Sequence, residues 1–354
     1  MGRSVNDDRS RSLASEFLRR GQSHESRAEL TAALASYAES IALLTALPAG
    51  TSFDGARSVD RALALAWMNR GNALLKCHVL RDTSPGEAVQ AYDQAIALLA
   101  PLVAAAPTDH ALRNSLGAAH LNRASVLLAL APREAGAGAL ASADRAVAAL
   151  RALPLEDNIF YRTNLAGAWL NRASALLAID LEVAQISART ALDLVADAAS
   201  DHLPAASAAL GARRTLLAII GRELTTPRDD VAALLGEASD LIDDGLALTR
   251  TWEARHVAAF HSAAAQLFVA GAMLYASHQP HFLTEFLGEN PALAREFPAV
   301  AQDALALARR TAHERCLVAD SAEPLSRTFT TLAELSALAR RLAVLGSAAV
   351  PLSA

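Results

Sequence analysis

The chain has 354 residues, 53% of them hydrophobic but only 5% aromatic, with a formal charge of −5. Ala and Leu dominate the apolar content, which favours helices, and runs such as Ala139–Leu153 lack the alternation of a strand. A mildly acidic chain without a basic block argues against a nucleic-acid-binding surface. Two distant cysteines, Cys77 and Cys316, argue against a disulfide scaffold and suit a reducing, cytoplasmic setting.

In chain order, Met1–Arg20 is polar and charged, with no apolar core of the kind a secretory signal has. Segment 1–56 reads as a helix pair, in which Phe17, Arg20, Gly21, Ala33, Tyr37 and Ser40 stand at the spacing of a helical-repeat family. Pro48–Gly55 reads as a loop. The phrase AWMNRGNALL (Ala66–Leu75) then appears, and returns as AHLNRASVLL (Ala119–Leu128) and AWLNRASALL (Ala168–Leu177). Its asparagines, Asn69, Asn122 and Asn171, recur about every 50 residues, which is the mark of stacked helical units. Segment 57–200 therefore holds three helix pairs, with breaks between successive helices at Asp82–Gly86, Pro107–Asp109, Pro132–Ala135 and Pro154–Asp157. Asp109, Asp157 and Thr226 stand where N-caps are expected. Segment 201–250 reads as a degenerate pair with a worn copy at Ala209–Ile220. Segment 251–354 reads as divergent helices with a cap from Pro324 to Leu345.

The segment from Ala66 to Leu99 resembles a tetratricopeptide repeat. Trp67, Arg70, Gly71 and Leu74 fill the slots of the first helix, and Ala88, Tyr92 and Ala95 those of the second. His120, Arg123, Ala124 and Leu127 pair with Ala139, Ala143 and Ala146; Trp169, Arg172, Ala173 and Leu176 pair with Ala184, Ala188 and Ala191. The units here exceed the family's ~34 residues, partly because Leu112–Arg123 and Tyr161–Arg172 align upstream of the usual motif and partly through loop, as in Cys77–Glu87. Pro101 stands one residue late as a unit-closing proline. The resemblance implies an all-α, right-handed superhelical solenoid of antiparallel helix pairs. It also implies that first helices line a concave groove for a peptide or partner helix.

By that resemblance the groove residues are Asn69, Asn72, Lys76, Asn122, Ser125, Asn171 and Ser174, flanked by the aliphatic Met68, Leu121 and Leu170. An asparagine offers donors and an acceptor to a peptide backbone; the alternative is that these residues cap or bridge helices. A clamp for chaperone C-terminal tails is rejected, since Met68, Gly167 and Asn171 stand where that subclass needs cations. The repeated Arg70, Arg123 and Arg172 read either as contacts for an acidic ligand or, the favoured expectation, as ion pairs across their own helix pair, Arg70 with Asp93 and Arg123 with Asp144; Arg172 finds Arg189 there instead.

His278 with His281, and His313 with Cys316, have spacings that can ligate a metal, but His256 and His261 do not share a helix face well and Pro280 puts the first pair in a loop. No metal site and no cofactor are expected. Val257–Ala276 has membrane length, but His261, Ser262 and Gln266 make it read as a buried helix. Asp243 and Asp244 read as a solvated helix face, and no P-loop, GxGxxG, GxSxG or HExxH occurs. The sequence thus points to a non-enzymatic scaffold or adaptor. The rivals are a sensor of a small molecule or signalling peptide, a metal-dependent enzyme on the His and Cys residues, and self-association through Ala-rich faces.

Overall fold

The computed structural model describes residues 2–253, apart from 28, 49–50, 55–56, 80–84, 131–135 and 227–228, and four positions between 267 and 274. The described residues form ten α-helices. These are α1 (Gly2–Ser26), α2 (Leu30–Thr45), α3 (Val59–Val79), α4 (Pro85–Ala105), α5 (His110–Leu130), α6 (Gly136–Leu150), α7 (Ile159–Leu176), α8 (Leu181–Asp193), α9 (Leu203–Glu223) and α10 (Val231–Glu253). The all-α reading is correct for these residues apart from one small ribbon. Between α2 and α3, where the sequence reads as loop, β1 (Ser52–Asp54) pairs antiparallel with β2 (Arg57–Ser58). Strands this short carry no periodicity for a sequence reading to find.

Helix starts follow from side chains that satisfy unpaired N–H groups. Asp109 Oδ1 accepts from Leu112 N–H at 2.9 Å, as expected of a cap. The cap of α7 is Asn158, not Asp157: its side chain accepts from the N–H groups of Phe160 and Tyr161. Thr226 does not open α10. Its hydroxyl donates to the Glu223 carbonyl at 2.9 Å and finishes the end of α9. Two further caps are Asp180, which accepts from Val183 N–H, and His202, which accepts from Ala205 N–H. Pro101 lies inside α4, which continues to Ala105 instead of closing there.

Two compact units meet in sequence at Leu194/Val195. The first unit therefore takes in both 1–56 and most of 57–200. Within it each first helix packs on its own second helix: α1 on α2, α3 on α4, α5 on α6 and α7 on α8. Each of α2, α4 and α6 also packs on the next first helix, and α5 touches α7 directly. The sequence allows this because the buried stripes are small. On α4 they are Ala88, Ala91, Tyr92, Ala95 and Leu99, at helical spacing. On α6 they are Ala139, Ser142, Ala143, Ala146, Val147 and Leu150. Small faces let axes approach closely, and the closest approaches leave no room for a side chain. A Cβ on Gly71 would lie 2.9 Å from the Tyr92 ring, and one on Gly117 would lie 2.5 Å from Leu150.

In the second unit a 3-10 turn at Ala196–Ala198 leads into α9, which packs on α10. Trp252 Nε1–H donates to the Ala199 carbonyl at 2.8 Å, and Arg213 faces Asp244 at 3.6 Å. The stretch Ala209–Ile220 lies within α9, with Ala209, Leu210, Leu216, Leu217, Ile219 and Ile220 buried. Residues 86–105 of α4 and the whole of α9 are long and apolar enough to cross a membrane by length and composition alone. Of the apolar residues of α4, Ala88, Ala91, Tyr92, Ala95 and Leu99 are buried, and the helix packs on α3 and α5. Val257–Ala276 lies almost wholly, and the cap Pro324–Leu345 wholly, outside the described residues.

Candidate functional site

The recurring Asn-Arg phrase puts one amide and one guanidinium at the same place on α3, α5 and α7. The amides on α5 and α7 each reach the preceding first helix. Asn122 Nδ2 donates to Asn72 Oδ1 at 3.1 Å, which joins α5 to α3. Asn171 Nδ2 donates to the Leu121 carbonyl and to Ser125 Oγ, both at 2.8 Å, which joins α7 to α5. The acceptors Asn72 and Ser125 stand at the same repeat position, three residues after Asn69 and Asn122 respectively. A second rung, Asn164 Nδ2 to Asn114 Oδ1 at 2.9 Å, lies nearer the helix starts.

The groove residues named from the sequence thus lie together on neighbouring first helices, half-buried, and several already hold one another. The Asn69 Nδ2 is shielded from solvent and has no hydrogen-bond partner among the described residues. Ser174 is half-buried one turn beyond Asn171. Of the aliphatic residues, Met68 packs on the cluster of Ala64, Leu99, Leu112 and Ala119, and Leu121 on the cluster around Leu150 and Leu165. Leu170 is half-buried.

The α1–α3 joint has a different chemistry. Lys76, the only lysine of the chain, donates from Nζ to Glu25 Oε1 at 2.7 Å. Glu25 Oε2 accepts from the Tyr37 hydroxyl at 2.7 Å, so one carboxylate ties α1, α2 and α3 together. Both members of the ion pair are mostly buried, at 16% and 14% exposure, a setting in which losing either partner strands a charge. The Tyr92 hydroxyl donates to Asn72 Oδ1 at 2.6 Å and continues the network towards α5. Burial, and then the Glu25 charge, push both tyrosine hydroxyls well above their ordinary range, so they remain donors.

The arginines correct the expected pairing. Arg123 Nε donates to Asp93 Oδ1 at 2.6 Å, and Arg172 Nε to Asp144 Oδ1 at 2.9 Å. Each carboxylate belongs to the preceding helix pair, not to the arginine's own pair. Arg172 therefore has a partner after all. Within its own pair each arginine reaches a serine instead: Arg123 Nη1 donates to Ser142 Oγ and Arg172 Nη1 to Ser187 Oγ, both at 2.7 Å. Arg70 does not meet Asp93 but Glu87, at 3.6 Å. The place on α2 that matches Asp93 holds Ala38, so no acid is offered to it there. Arg70 and Arg172 also lie over Trp67 and Trp169, 5.6 and 5.4 Å from the ring centres.

His120 escaped the sequence reading as a special residue. It is 7% exposed and its Nδ1 has no hydrogen-bond partner among the described residues. Burial first, then Arg145 and Arg123, push its pKa down to about 4 against a smaller opposing effect of Asp93. The roles of Glu25, Tyr37, Ser142 and Ser187 were missed too. Ser142 and Ser187 were legible in principle, since both sit one residue before the matching Ala143 and Ala188. Among the described residues no group of three His, Cys, Asp or Glu side chains could hold a metal. His256, His261, His278, His281, His313 and Cys316 lie outside the described residues. Comparison with known proteins finds no family model, no curated protein and no solved structure that matches the chain.

Proposed function

We propose that the chain is a non-enzymatic, tetratricopeptide-like interaction scaffold, working in the cytoplasm, whose first helices present a common face to a peptide or helix of a partner protein. The observation that supports this best is the amide bonding of α3 to α5 and of α5 to α7. Joined in this way, half-buried side chains on three helices form one continuous surface, and a continuous surface is what an extended ligand requires. The asparagines engaged in the rungs hold that face in shape, while direct contact falls to neighbours such as Leu170 and Ser174 on α7.

The test must separate binding from folding, so it avoids the bonded amides. Leu170→Glu and Ser174→Glu place charge on the face; Ile186→Glu changes an exposed position on α8, 56% accessible, as the control. Affinity capture from the source lysate, with thermal melts to verify folding, should recover a partner with wild type and Ile186→Glu and lose it with the two α7 variants. A partner retained equally by all folded variants would refute the first-helix face as the binding surface.

A further inference from the structure

In α5, His120 occupies the position that Trp67 holds in α3 and Trp169 holds in α7. Tryptophan in this slot accepts an arginine over its ring and has no proton to gain. An imidazole in the same slot can take one. The ring is almost wholly enclosed, and its Nδ1 has no hydrogen-bond partner among the described residues, so the Nδ1–H that an imidazolium must carry would find no acceptor. The charged groups that act on it are Arg123 on its own helix, Arg145 on α6 and Asp93 on α4. Among the described residues α3 and α7 add no charged group to this set. Asp93, the only carboxylate of the three, is already held by Arg123 at 2.6 Å. A charged imidazole would therefore face two guanidinium groups with its one neighbouring acid already engaged.

We propose that His120 makes the centre of the first unit an acid-operated joint, in which protonation of the ring loosens α5 from α4 and α6. Well above pH ~6.5 the ring is neutral in both closed and open forms and adds no strain. As pH falls from there towards 4, the open form binds a proton that the closed form refuses, and closure weakens. The position matters, because α5 carries the acceptor for Asn171 and the donor to Asn72. Opening it would interrupt the row of first helices at its middle.

The test is amide hydrogen exchange on the full chain at pH 7.5 and 5.0, corrected for intrinsic rates, with wild type and His120→Trp. In wild type the opening constant of α5 amides should rise roughly thirty-fold at the lower pH, and in His120→Trp it should stay flat. An equal rise in both proteins would overturn the proposal. Should the variant fail to fold, NMR titration of the wild-type His120 ring decides: an apparent pKa near that of an exposed histidine would also overturn it.

Discussion

Gly71 and Tyr92 show how one residue's size sets that of its neighbour across a helix pair. The same two places are filled by Gly21 and Tyr37, then by Ala124 and Ala143, and then by Ala173 and Ala188. A tyrosine ring is admitted where the facing residue has no side chain, and an alanine where it has a methyl. Since a Cβ on Gly71 would lie 2.9 Å from the Tyr92 ring, Gly71→Ala should cost about 1–3 kcal/mol by overpacking. In a Tyr92→Ala background the same change should cost close to nothing, because the pair then matches the two later repeats. Urea denaturation of the four proteins in the cycle measures this. Equal costs in both backgrounds would mean that the ring is not what excludes the methyl. This rule was half legible: the slots were assigned from the sequence, but the exchange of Gly·Tyr for Ala·Ala becomes meaningful only once the contact is seen.

At the scale of the helix, the joints between pairs depend on side chains that serve two neighbours at once. Arg172 reaches back to Asp144 on α6 and across to Ser187 on α8. Arg123 does the same with Asp93 and Ser142. The two carboxylates are about half exposed, so each ion pair contributes modestly and is screened by salt. Asp144→Ala should cost up to ~1 kcal/mol at low ionic strength, less at high salt, and should couple to Arg172→Ala but not to Arg123→Ala. Coupling to Arg123 would restore the pairing that the sequence alone suggested. That suggestion failed for a physical reason. A periodic sequence shows which residues occupy equivalent places, but Asp144 is equivalent in place to Asp93 and lies beside two first helices at once. Only the stagger between α6 and α7 decides which arginine it meets. The third equivalent of these acids is Arg189, so the series of carboxylates ends on α8, next to the boundary of the first unit at Leu194.

At the scale of the molecule, the predominantly helical character of the described residues was legible because Ala- and Leu-rich stripes at helical period extend for several turns. The three-residue strand β1 was not, and neither was the dual use of the asparagines. An asparagine on a first helix reads equally well as a ligand contact or as a tie to the next helix, since its amide can serve either. The placement of Asn122 against Asn72 and of Asn171 against Ser125 makes them ties, and on that rests the claim that α3, α5 and α7 present one face. A double-mutant cycle of Asn72→Ala and Asn122→Ala, read by thermal and urea unfolding, tests that claim most directly. The account predicts a coupling of about 1 kcal/mol, the size of one partly buried hydrogen bond between neighbouring helix pairs. Strict additivity, with each change nearly neutral, would contradict it and return both asparagines to the solvent face, available to a ligand.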